Sequence, residues 1–127
     1  MNEIRVRYIV DDVDVAVDFY VRHLDFEVRM RPGPGFAMLQ RGALRLLVNT
    51  PGGGGGAGQA ASDGRMPEPG GWNRFQIDVE NLDASVAGLR AAGVSFRTEV
   101  ITGRGGKQIL LEDPAGNLVE LFEPIGG

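Results

Sequence analysis

Cysteine is absent from this 127-residue chain, and histidine occurs once, at His23. The first absence removes disulfides, thiolate nucleophiles, iron–sulfur clusters and Cys-based zinc sites together. The second excludes a two-histidine metal centre within one chain, and no Ser/His/Asp relay can be assembled convincingly around the lone imidazole. His23 falls near the end of a helical stretch, where an imidazolium suits the helix dipole. Long apolar runs are also missing. None approaches the roughly 20 residues that span a bilayer, and the opening MNEIRVRY carries no signal-like apolar segment. The expectation is a cytoplasmic protein with no membrane partner. Positive charge is in deficit: 13 Lys and Arg stand against 17 Asp and Glu, a net charge of −4. That argues against nucleic acid, whose binding needs concentrated cations.

What is present suits one globular unit. Hydrophobic residues make up 43% and charged residues 24%, enough for a core without covalent staples. The chain is also written twice. Arg5–Val10, an acidic entry at Asp11–Asp14 and a helical stretch to Leu24 recur as Arg74–Val79, Glu80–Asp83 and a stretch to Ala92, with a constant spacing of 69 residues from Arg5 to Arg74 and from Asp14 to Asp83. Each copy opens on a period-2 strand, with Ile4, Val6, Tyr8 and Val10 on one face and Phe75, Ile77 and Val79 in the second copy. The helices are expected to start at Asp12 or Asp14 and at Asp83, which suit N-caps. They are expected to bury Val13, Val17 and Tyr20 or Leu24, then Val86 and Leu89, with a stop at Gly93. Three strands follow each helix: Phe26–Arg31, Phe36–Gln40 and Leu44–Asn49, then Ser95–Val100, Lys107–Glu112 and Leu118–Glu123. The expected fold class is α+β, two βαβββ modules over residues 1–50 and 72–127. Residues 51–71 between them are rich in Gly and Pro. Gly53–Gly56 is expected to hold no regular element, and the stretch is either a mobile flap or a plain linker.

The stretch Leu110–Pro124, LLEDPAGNLVELFEP, carries the most specific signal. Asp113-Pro114-Ala115-Gly116-Asn117 is a tight turn, because Pro presets its φ and Gly and Asn tolerate positive φ. Leu118–Phe122 then alternates as a strand. This D-P-x-G-N turn followed by Val119-Glu120-Leu121, together with the doubled βαβββ pattern over nearly the whole chain, resembles the vicinal oxygen chelate superfamily. That superfamily includes glyoxalase I, extradiol dioxygenases, fosfomycin-modifying enzymes and bleomycin-binding resistance proteins. The resemblance implies curled mixed sheets around a central cup, helices outside, and modules that commonly pair across a homodimer. It also implies that the Glu matching Glu120 is a metal ligand in metal-dependent members.

The remaining ligand positions, carried over from the family, read Arg5, Leu46 and Arg74, or Asn73 if the register slips by one. Arg offers no lone pair, Leu has none, and Asn is a poor ligand for a transition metal. The expectation is therefore no metal and no cofactor. Alternation places Arg5 and Arg7 on one inward face, Arg74, Gln76 and Asp78 on the other, and Glu120 with Leu118 and Phe122. Gln108 shares a face with Leu110 and Glu112, with the side left open. An ionised Glu120 in a cup needs a partner, and Arg74 or Arg5 could satisfy it in a bidentate way. Such a pair either only holds the cup together or leaves an Arg free for a ligand. Trp72 serves either the core or the rim of the cup, where it could stack on a flat ligand. Gly103–Lys107 lacks the spacing and Ser/Thr of a phosphate loop and reads as a hairpin turn.

The leading reading is a metal-free protein of the bleomycin-resistance type, leaning away from catalysis. It would hold a small planar or anionic organic molecule for sequestration or resistance, through Arg5, Arg7, Trp72, Arg74, Gln76 and Gln108. The alternative is a lyase or isomerase using Glu120 as base with Arg74 polarising a carbonyl. Less favoured is a metal-dependent glyoxalase or dioxygenase, which would have to borrow ligands, including His23, from a second subunit.

Overall fold

Alternating burial along short strands builds two mixed sheets in the computed structural model, which describes residues 3–126. They belong to two units of the chain, Met1–Gly70 and Gly71–Gly127. In the first unit, β1 (Arg5–Ile9) leads into α1 (Val13–Leu24), then β2 (Glu27–Gly33), β3 (Phe36–Arg41) and β4 (Leu44–Asn49). The sheet order is β1-β4-β3-β2, with β1 parallel to β4 and the remaining pairs antiparallel. Tyr8, Val10, Ala37, Leu39, Leu46 and Val48 are buried on the face beneath α1. From α1 itself, Val13, Ala16, Tyr20 and Leu24 are buried, while Val17 is only half-buried. Tyr20 meets Phe19 and Phe26 edge-on, with ring centroids 5.1 and 5.3 Å away. Asp12 is the N-cap of α1, its carboxylate accepting from Val15 N at 3.2 Å, and Asp14 sits in the first turn.

The second unit repeats the plan. β5 (Arg74–Asp78) and α2 (Leu82–Ala91) precede β6 (Ser95–Phe96), β7 (Ile101–Thr102), β8 (Gly106–Glu112) and β9 (Leu118–Pro124). The order is β5-β9-β8-β6, with β7 also on β8 and β5 parallel to β9. Leu82 and Val86 bury one side of α2, and Leu89 is half-buried. The DPAGN turn closes on Asp113, whose Oδ1 accepts from Ala115 N and Asn117 N, both at 2.9 Å. Gly103–Lys107 does form a hairpin turn, with Gly103 N donating to Gly106 O at 2.8 Å.

Three expectations are corrected here. The N-cap of α2 is Asn81, not Asp83: Asn81 Oδ1 accepts from Ala84 N at 3.0 Å, and Glu123 from β9 accepts from Leu82 N at 2.7 Å. Asp83 lies in the first turn and accepts from Lys107, which holds the Lys107 ammonium above its usual pKa. The single strand expected over Ser95–Val100 is interrupted. Thr98 Oγ1 accepts from Leu110 N where a backbone carbonyl would have continued the ladder, and β7 restarts only at Ile101. Finally, the glycine stretch is not featureless: Gly55–Gly58 forms a 3-10 turn. Gly52 N donates to Gly58 O at 2.7 Å and Gly53 N to Thr50 O at 2.9 Å. The absence of side chains lets the chain fold back on itself here. A Cβ on Gly58 would lie 2.0 Å from Gly53 O, and one on Gly54, at φ +70, 2.7 Å from Asn49 Cβ.

Candidate functional site

The ladders fix which side chains share the faces turned away from the helices. In the second sheet, Gln76 stands opposite Glu120 and Arg74 opposite Leu118, while Leu110 stands opposite Glu120 on the other side. Period-2 alternation then places Arg74, Gln76, Glu120, Leu110, Gln108 and Glu112 on one face. Arg74 and Glu120 meet directly, as alternation in the sequence predicts: Arg74 Nε donates to Glu120 Oε1 at 3.0 Å. The contact is not bidentate. Gln76 Nε2 donates to Glu120 Oε2 at 2.5 Å, so a second residue takes the second oxygen. Arg74 is two positions along from the residue opposite Glu120, so its guanidinium approaches from one end only. It also donates through Nη1 to Trp72 O at 3.3 Å. Glu120 is 6% exposed, and this pair of donors meets the desolvation cost of its charge.

In the first sheet the corresponding pair is Arg7 opposite Leu47, with Arg5 opposite Arg45 and Val6 opposite Leu46. The residue matching Glu120 is therefore Leu47, and the expected assignment to Leu46 is off by one. Leu46 lies on the helix face. Leucine at either position offers no lone pair. Arg5 pairs with Glu3 at 3.3 Å. Arg7 behaves differently: its Nη1 donates to Asn49 Oδ1 at 2.7 Å and its guanidinium lies 5.9 Å from the centroid of the Phe36 ring. Among the described residues no carboxylate forms an ion pair with it. Asn49, 0% exposed, passes the connection on, with Nδ2 donating to Thr50 O at 3.1 Å and Gly53 O at 3.3 Å. Arg7, Phe36 and the backbone of the glycine loop line a pocket of about 410 Å3. Nothing in the sequence reading singled out Asn49 or Phe36; the available signal was their place beside Arg7 on the strand faces, which needs the strand pairing to be known.

Trp72 joins a different cluster. Its ring, 64% exposed, carries the Arg97 guanidinium 4.7 Å from its centroid. Arg97 also donates to Glu112 Oε2 at 2.7 Å, Gly71 O at 2.7 Å and Gly116 O at 3.1 Å, clasping the DPAGN turn to the start of the second unit. His23 sits in the last turn of α1 with its ring 5.5 Å from that of Phe19.

A divalent metal of the kind found in glyoxalase-type sites does not fit these residues. Both Glu120 oxygens already accept from Arg74 and Gln76, the positions around them supply Arg, Gln or Leu, and among the described residues no three His, Cys, Asp or Glu are grouped to hold an ion. Among the same residues no helix is long and apolar enough to cross a membrane.

Comparison with solved structures gives the same architecture. The chain is similar to lactoylglutathione lyase from Agrobacterium tumefaciens, at 20% identity with 96% of this chain and 92% of that chain covered and a TM-score of 0.72. It is similar to an antibiotic-binding protein from Streptomyces sp. CB03234, at 22% identity, 98% and 96% coverage and a TM-score of 0.72. A third likeness, at 25% identity, 97% coverage of both chains and a TM-score of 0.74, is to a glyoxalase/bleomycin resistance protein/dioxygenase superfamily member from Sphaerobacter thermophilus DSM 20745. No curated protein matches the sequence. The family model of the Glyoxalase/Bleomycin resistance protein/Dioxygenase superfamily matches residues 4–121, and the chain belongs to that superfamily.

Proposed function

We propose that this is a metal-free small-molecule-binding protein of the superfamily, serving sequestration or resistance rather than catalysis. The observation that carries the reading is the state of Glu120. In a metal enzyme that carboxylate would ligate the ion, and in a lyase or isomerase it would need an oxygen that substrate can reach in order to take a proton. Here Arg74 and Gln76 each donate to one oxygen, and the residue is buried, so the carboxylate is engaged within the sheet. The fold is thus kept while the group that would perform the chemistry is tied into the sheet. A likeness in fold to an antibiotic-binding protein accords with this reading.

Elemental analysis tests the reading. Protein purified without chelator should carry no stoichiometric Zn, Ni, Fe or Mn, and dialysis against EDTA should leave its melting temperature unchanged. About one divalent ion per chain, removable with loss of stability, would overturn the proposal.

A further inference from the structure

Resting on that reading of the protein as a binder, we propose that the Arg7 pocket is a subsite for the carboxylate of a flat aromatic acid. The pocket lies within the first unit and is built to hold one guanidinium in place. Asn49 is fully buried, and its Oδ1 is the group on which Arg7 rests. Its Nδ2 is fixed in turn by the carbonyls of Thr50 and Gly53, so the amide cannot turn to release Arg7 without losing those bonds. Asn49 is therefore a positioning residue. Arg7 is itself exposed, and its bond to Asn49 orders part of a long side chain before a ligand arrives while the remaining N–H groups face solvent.

The guanidinium has five N–H groups in a planar fork. Asn49 takes one and, being neutral, leaves the charge uncompensated. Most Arg residues of this chain of net charge −4 find a carboxylate, as Arg5, Arg22, Arg31, Arg41, Arg45 and Arg74 do; among the described residues Arg29, on Gln40, and Arg104 share with Arg7 the lack of one, but of the three Arg7 alone lines this pocket. A carboxylate is the group a free fork matches in a bidentate way.

The rest of the pocket selects shape. Gly33, Gly35, Gly54 and Gly55 line it, so much of its wall carries no side chain and admits a flat group closely. Phe36 supplies the one ring, beside the guanidinium, on which such a group can stack. A phosphate ester is a poorer match: among the described residues Arg7 is the only cation lining this pocket, and a dianion would be left half neutralised.

The test compares acids with their amides. Salicylate and quinoline-2-carboxylate are titrated against salicylamide and quinoline-2-carboxamide, using the full chain and ligand-observed NMR. Each acid should bind about tenfold tighter than its amide. Arg7→Gln should erase that difference, Arg7→Lys should restore part of it, and Phe36→Leu should weaken acid and amide alike. Arg22→Gln, on the exposed side of α1, should change neither. Acid and amide binding equally to the wild type overturns the carboxylate subsite while leaving the protein a binder, and that comparison needs no variant to fold. Binding that keeps its acid preference in Arg7→Gln overturns the assignment to this pocket. Failure of every compound to bind overturns this inference too. The metal-free part of the proposed function is decided separately by the elemental analysis above.

Discussion

Glu120 is buried between Arg74 and Gln76, and these neighbours can be tested one side chain at a time. Arg74→Ala removes one of its two donors and leaves a buried carboxylate held by Gln76 alone. The Arg74 side chain is about one-third exposed, at 32%, so water screens the pair and the expected loss is about 2 kcal/mol, below that of a fully buried pair. Urea melts should show it. Glu120→Gln should cost less, since an amide tolerates burial uncharged, and Arg74→Met combined with Glu120→Leu should recover much of the loss. A double variant no more stable than Arg74→Ala would contradict this account of the pair. The Arg74–Glu120 contact was legible in the sequence because two indications converge on it: strand alternation, and the ligand positions that the superfamily resemblance assigns to both residues. The role of Gln76 at the second oxygen was not, since it depends on which residue of β9 stands opposite in the ladder. The Leu46 assignment failed for another reason. Leu44, Leu46 and Val48 form the apolar face of β4 and Arg45, Leu47 and Asn49 the other, so alternation already sets Leu46 toward the helix; the assignment was carried over from the family's ligand positions, and pairing with β1 shows that Leu47 matches Glu120.

The elements show where sequence patterns are strong and where tertiary contacts override them. Both helices and most strands follow from periodicity. The strand expected over Ser95–Val100 breaks because side chains replace backbone partners, Thr98 toward Leu110 and Arg97 toward the DPAGN turn. Asn81 and Asp83 are both acceptable cap residues by type, and only the local backbone selects Asn81. The glycine loop is the clearest case. Composition alone suggests an unstructured connection, yet the same lack of side chains permits a tight fold over Asn49. Gly54→Ala places a Cβ against Asn49 and strains a backbone at φ +70. A destabilisation of roughly 1–3 kcal/mol is expected, together with faster amide hydrogen exchange over Gly52–Gly58. Unchanged exchange in that stretch would show that the loop does not depend on its contact with Asn49.

At the scale of the whole molecule, each sheet ends in open borders, β1 and β2 in one and β5 and β6 in the other. Such borders favour strand pairing with another chain. We propose a homodimer with β1 near the seam. Light scattering at micromolar protein should give twice the chain mass of 13.6 kDa, and a monomer mass would contradict the proposal. The superfamily's architecture is retained here with Glu120 held by Arg74 and Gln76, and we propose that the chain binds a small molecule without a metal. Native mass spectrometry of protein purified from its own host tests that claim most directly. The account predicts a chain carrying an organic ligand with no divalent ion. A stoichiometric divalent ion on the chain would contradict it.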